Sequence, residues 1–238
     1  DDGEVRDDFN LFARRMLSAA VSQKGWDAKV DETHLEIMLR PRLLFAYGCY
    51  GDTAILQEAR RRFTAFLPNP HTLDPNLYGT VFGLTAWGGG RAEYDMLADA
   101  YRSEEHPEIK VRLLASLGMF PQKELIEKAL HYALSDKVRA QDFTYVMHSK
   151  LTNSGQECAW DFLKQEWDAV LRRYGGNVKM MVHILDGVLE VFDTEERAEE
   201  IERFFEDHPV PNARRTILQS LETIRIRAAW RERDYDAI

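Results

Sequence analysis

Cysteine is scarce: Cys49 and Cys158 are the only two in 238 residues, and each lies beside apolar or aromatic neighbours. Such a pair indicates neither a disulfide framework nor a cysteine zinc cluster, and reads as two buried free thiols. No apolar run approaches the roughly 18 residues that a membrane-spanning helix needs, and the acidic opening Asp1-Asp2-Gly3-Glu4 is unlike the basic and apolar lead of a signal peptide. Asn-x-Ser/Thr sequons are missing as well, which favours a reducing interior, so a cytoplasmic location is the expectation. Positive charge is also short. With 31 basic against 40 acidic residues the formal net charge is −9. Nucleic acid and anionic membranes both require a cationic surface, so neither is expected as a partner.

Catalytic signatures are missing too. None of the seven histidines stands in a His-Glu-x-x-His helix pattern. Glu127 and His131 are four apart and share a helix face, but two potential ligands fall short of the three protein ligands of catalytic zinc sites. Gly88-Gly89-Gly90 lacks the following Lys-Ser/Thr of a phosphate loop and reads as a reversal between helices. No serine elbow occurs, and neither cysteine has a local base. The carboxylates between 193 and 207 lack calcium-loop spacing and read as solvated helix faces, with Ile201, Phe204 and Phe205 turned to the core. No catalytic residue and no metal ligand is therefore assigned.

What the chain does have is helical periodicity almost throughout, without sustained strand alternation. Phe9, Phe12, Met16 and Ala20 form one apolar face of an opening helix ending near Gly25. Thr33 caps a second, with a boundary expected near Pro41 because proline disfavours helical dihedrals in the residue before it. Gly51-Asp52 marks a reversal, followed by a face of Ile55, Ala59, Phe63 and Phe66. Asp74-Pro75 opens a helix with the face Leu77, Val81, Leu84 and Trp87; Tyr94, Leu97, Ala98 and Tyr101 line the next. Pro107 and Pro121 open two more, and 139–151 holds a further short element. A long helix after Gly155 carries Trp160, Leu163, Trp167, Val170 and Leu171 as far as Gly175-Gly176. Three segments follow over 178–192, 195–208 and 211–232.

Reversals at Gly51, Gly89, Pro121, Gly155 and Thr194 lie 38, 32, 34 and 39 residues apart, about two helices and their turns. Helix pairs at that period bury their faces by stacking. The expected fold is all-α, a single domain over 1–238 built as a superhelical array of antiparallel helix pairs, a HEAT/armadillo-like α-solenoid. A compact helical bundle is the alternative.

Three polar features remain. Arg60-Arg61-Arg62 lies mid-helix with members about 100° apart, so the three do not converge on one ligand and read as surface or salt-bridging groups. Arg139-Ala140-Gln141-Asp142 opens an otherwise apolar segment, either orienting hydrogen-bonding groups into a concave face or forming a polar ladder between repeats. Arg225 and Arg227, flanking Ile226 near the end, either snorkel along a packed face or receive peptide carboxylates.

Several ordered segments resemble the C-terminal domain of the M1 zinc aminopeptidases, as in the endoplasmic-reticulum and puromycin-sensitive enzymes. They include Leu43-Leu44-Phe45 with Gly51-Asp52, Ala59-Arg60-Arg61-Arg62-Phe63, Glu93-Tyr94-Asp95 and Arg112 to Gly118. Val138-Arg139-Ala140-Gln141-Asp142, Ala159 to Lys164 with Trp167, and Leu221-Glu222-Thr223-Ile224 continue the match. The resemblance covers about Leu39 to Trp230. It implies a noncatalytic domain that caps the active site and helps form the peptide cavity, with zinc held by a catalytic domain that this sequence does not contain. The implied partners are the N-terminal and catalytic domains of the same polypeptide and a peptide substrate. Arg139 and Gln141 are then candidates for lining the cavity, with Arg225 a third. The competing reading is a freestanding α-solenoid scaffold that binds a protein.

Overall fold

The computed structural model describes residues 2–147 and 153–234, and every regular element among them is helical. Thirteen α-helices occur among the described residues: α1 (Asp2–Lys24), α2 (His34–Cys49), α3 (Thr53–Phe66), α4 (Tyr78–Trp87), α5 (Arg91–Ser103), α6 (Pro107–Leu117), α7 (Lys123–Leu134), α8 (Phe143–Met147), α9 (Asn153–Gln165), α10 (Trp167–Tyr174), α11 (Val178–Leu189), α12 (Glu195–Asp207) and α13 (Arg214–Asp234). They fall into two compact units, Asp1–Leu125 and Ile126–Ile238.

The first unit is organised around α4, which packs against α2, α3 and α6. Its sequence, Tyr78 to Trp87, is apolar on every side, and Thr80 to Ala86 are all buried, as expected of a helix with no face to give to water. Ile55, Ala59, Phe63 and Phe66 of α3 are buried as their spacing predicts, and the Phe63 ring meets Phe82 edge-on at 5.5 Å. Helix α2 approaches α4 closely at Gly48, where a Cβ would stand 2.6 Å from Leu84 Cδ2. At Gly51 the chain takes φ +87°, the left-handed conformation that lets the chain reverse into α3. Asp52 then caps α3, its side chain accepting from the Ile55 amide at 2.9 Å.

Thr33 caps α2 through a full capping box with Glu36. The boundary expected near Pro41 does not occur: α2 runs from His34 to Cys49 with Pro41 inside it. Leu44 and Gly48 beyond the proline are buried, and the Thr80 hydroxyl donates to the Pro41 carbonyl at 2.9 Å. Tertiary packing thus holds a helix that local preference would break.

The second unit centres on α11, which packs against α8, α9 and α13, while α12 packs against α13. The single long helix expected after Gly155 is two helices. Helix α9 begins at Asn153, so Gly155 lies within its first turn and is not the reversal. Glu166, at φ −100° and ψ 16°, separates α9 from α10. Trp160 and Trp167 both meet the Phe204 ring edge-on, at 5.3 and 5.4 Å. The element expected over 139–151 is a 3-10 turn, Ala140–Asp142, running into α8; residues 148–151 of that expectation lie outside the described residues.

Candidate functional site

The polar segment at 139–142 is built from its flanks. Arg173, in the last turn of α10, reaches back to the end of α7 and donates to the carbonyls of Leu134, Ser135 and Val138, the last two at 2.9 and 2.5 Å. These carbonyls follow or end a helix and have no helical amide to accept from. The chain is thereby fixed one residue before Arg139. Arg139 precedes the 3-10 turn in extended conformation, and its Nε donates to Asp142 Oδ2 at 2.7 Å. Asp142 is buried at 3 % exposure while the Arg139 side chain stands about half in solvent. Gln141, on the same turn, is exposed. The segment therefore presents Arg139 and Gln141 outward over a buried carboxylate.

Arg225, on α13, is not brought to this segment by any described contact. Its Nε donates to Glu195 Oε1 at 3.0 Å and an Nη to Glu202 Oε2 at 2.6 Å, both carboxylates belonging to α12. Glu202 and Glu195 together raise its pKa above the ordinary arginine value. Arg227 donates to the Glu190 carbonyl. The arginine triplet divides as its angular spacing implies: Arg60 pairs with Glu93 of α5 at 2.5 Å, Arg61 with Glu58, and Arg62 with Glu58 and Asp27.

One polar cluster has no counterpart in the sequence reading. Glu200 Oε1 accepts from Trp160 Nε1 at 3.0 Å and from Lys164 Nζ at 2.6 Å, and its other oxygen meets Arg197, which also pairs with Glu157 at 2.5 Å. Burial opposes the charge on Glu200, but Lys164, Trp160 and Arg197 outweigh it and hold the carboxyl below its usual range. The i, i+4 spacing of Trp160 and Lys164 was the available signal; the partner on α12, 40 and 36 residues away, was not readable from spacing. The cluster ties α9 to α12.

His131 contacts the Glu127 backbone carbonyl at 2.9 Å through Nδ1 and lies 3.4 Å from Glu166 through Nε2. Burial pushes the Cys49 thiol up to about 12, far from a reactive thiolate. Among the described residues no three His, Cys, Asp or Glu side chains are grouped to hold a metal ion. Among the described residues, no helix is long and apolar enough to cross a membrane.

Comparison with known proteins agrees with the resemblance. Residues 1–226 match the family described as ERAP1-like C-terminal domain. The chain is 36% identical over 235 residues to Aminopeptidase M1-B of Oryza sativa subsp. japonica, covering 96% of this chain and 26% of that protein. It is 33% identical to Aminopeptidase M1 of Arabidopsis thaliana over 96% of this chain and 26% of the relative. With Aminopeptidase 2, mitochondrial, of Saccharomyces cerevisiae it shares 24% identity over 99% of this chain and 25% of the relative. The chain thus spans about a quarter of the length of the curated relatives it matches. On a match that runs over nearly its whole length, the chain belongs to the ERAP1-like C-terminal domain family.

Proposed function

We propose that this chain is the noncatalytic C-terminal domain of a zinc-dependent aminopeptidase, capping the active site and walling the cavity that receives the peptide. The observation that carries the reading is the coverage: the family match fills the chain, yet the chain fills only about a quarter of relatives named aminopeptidases. In this reading the zinc ion and its ligands belong to the remainder of the polypeptide, and residues 1–238 form one superhelical, HEAT/armadillo-like domain. The two free cysteines suit a cytoplasmic enzyme.

A surface feature gives independent support. Val5, Phe9, Phe12 and Met16 recur at i, i+4, i+7 and i+11 along α1 and are 61, 54, 59 and 67 % exposed. An apolar stripe of this kind on a helix is more often an interface than a solvent face. The proposed occupant is the preceding domain of the same polypeptide.

Arg139 and Gln141 are proposed to contact the peptide beyond its first residues, the exposed guanidinium offering charge-assisted hydrogen bonds to carbonyls or a terminal carboxylate. Arg225 is proposed as a further contact that would have to exchange Glu195 or Glu202 for the peptide. The test uses the full-length enzyme. Because Arg139 also neutralises buried Asp142, the reference variant is Asp142→Asn, and the comparison is with Asp142→Asn/Arg139→Ala. The double variant is expected to lower kcat/KM for a long peptide by about tenfold, a loss of about 1.4 kcal/mol, while hydrolysis of a single-residue amide changes little. Equal effects on both substrates count against a peptide-tail contact.

A further inference from the structure

Helices α12 and α13 enclose an open groove of ≈ 460 Å³, within the roughly 300–1,000 Å³ of small-molecule sites. Its wall is apolar, formed by Phe205, Ile217 and Leu221, with Leu218 half-exposed at the mouth. Two charges of opposite sign join this wall, Glu206 from α12 and Arg214 from the start of α13. The third charged group of the groove, Glu202, is held by Arg225 at 2.6 Å. Glu206 and Arg214 instead form no ion pair or side-chain hydrogen bond with each other or with any other described residue.

A ligand that complements this surface carries a carboxylate, an ammonium and an apolar group within one small molecule. A peptide separates its two terminal charges along its length, and a fatty acid has only one. We propose that the groove binds a free apolar α-amino acid, with its carboxylate on Arg214, its ammonium on Glu206 and its side chain against Phe205, Ile217 and Leu221. Arginine can hold a carboxylate by two parallel hydrogen bonds, while the apolar wall selects side chains by the surface they remove from water. The inference goes beyond the aminopeptidase reading and does not depend on it, because every group it uses lies in this chain.

Calorimetric titration of the 238-residue chain with L-leucine tests it, alongside leucinamide, 4-methylpentanoate and glycine. These analogues lack in turn the carboxylate, the ammonium and the apolar side chain. Saturable one-to-one binding of leucine is expected, with each analogue weaker by about tenfold or more. Arg214→Gln and Glu206→Gln should each weaken leucine similarly while leaving the thermal midpoint unchanged, since neither side chain supports a described contact. A lack of saturable leucine binding at millimolar concentration overturns the proposal, as does binding unaffected by either substitution. Leucinamide or 4-methylpentanoate binding as tightly as leucine also overturns it, in favour of one end of a longer peptide.

Discussion

At the scale of single residues, burial decides what each functional group can do. Cys49 has the chemistry of a nucleophile, but burial raises its pKa to about 12, so almost none of it is thiolate near neutrality. Alkylation at pH 8 should therefore leave Cys49 of the folded chain largely unmodified over a time in which the denatured chain reacts fully, as peptide mass spectrometry can follow. Rapid modification of the native thiol would contradict this placement. Arg139 shows the opposite case, an exposed cation whose partner Asp142 is buried. Its sequence neighbourhood was legible as polar, and Asp142 was legible as its i+3 neighbour. The burial of Asp142 was not, because it arises from α8 and its surroundings and not from local spacing. Arg40 and Glu32 were equally hidden: both side chains are buried and paired with each other, yet their eight-residue separation crosses from a loop into a helix and has no periodic signature.

At the scale of elements, caps and anchors explain where helices begin and what they carry. In the capping box of α2, Glu36 accepts from Lys24 and from the Thr33 amide and hydroxyl, both at 2.9 Å. Lys24 first and Thr33 second lower its pKa to about 2 from the ordinary 4.5. A folded-state value below the unfolded one means that ionised Glu36 stabilises the fold above about pH 4.5, and that this contribution fades as pH falls toward 2. Glu36→Gln keeps a side chain able to reach the cap but removes the charge, so denaturant titrations between pH 5 and 2 should show a shallower loss of stability than in the parent chain. Identical pH dependence would show that this carboxylate is not linked to folding. Arg173 gives a second prediction. Removing its charge-assisted donors to three carbonyls in Arg173→Ala should cost about 2 kcal/mol by chemical denaturation, whereas Arg172→Ala, an exposed neighbour, should change stability by less than about 0.5 kcal/mol.

The same scale shows why some helix limits were readable and others were not. Thr33, Asp52 and Pro107 carry their own start signals. Pro41 carries a stop signal that packing overrides. At Glu166 the apolar period of Trp160, Leu163, Trp167 and Val170 continues without interruption across the break, so periodicity alone joins α9 to α10. The break becomes visible only when Trp160 and Trp167 are seen around Phe204 and Phe205 of α12.

At the scale of the whole molecule, the amphipathic helices made the all-helical class legible, and the ordered segments from Leu43 to Ile224 made the family legible. The peptide-facing role proposed for Arg139, Gln141 and Arg225 was less so, because in that proposal the cavity is made with another domain and leaves no period in this chain. In the proposed account, the exposed α1 stripe is the part of that larger architecture which this chain carries. In the proposed account, hydrolysis and zinc belong to the longer polypeptide, and this domain supplies shape and contacts. The most direct test is to measure aminopeptidase turnover and bound zinc for the purified 238-residue chain beside its full-length parent. The account predicts an inactive, zinc-free chain and an active, zinc-containing parent; zinc-dependent turnover by the chain alone would contradict it.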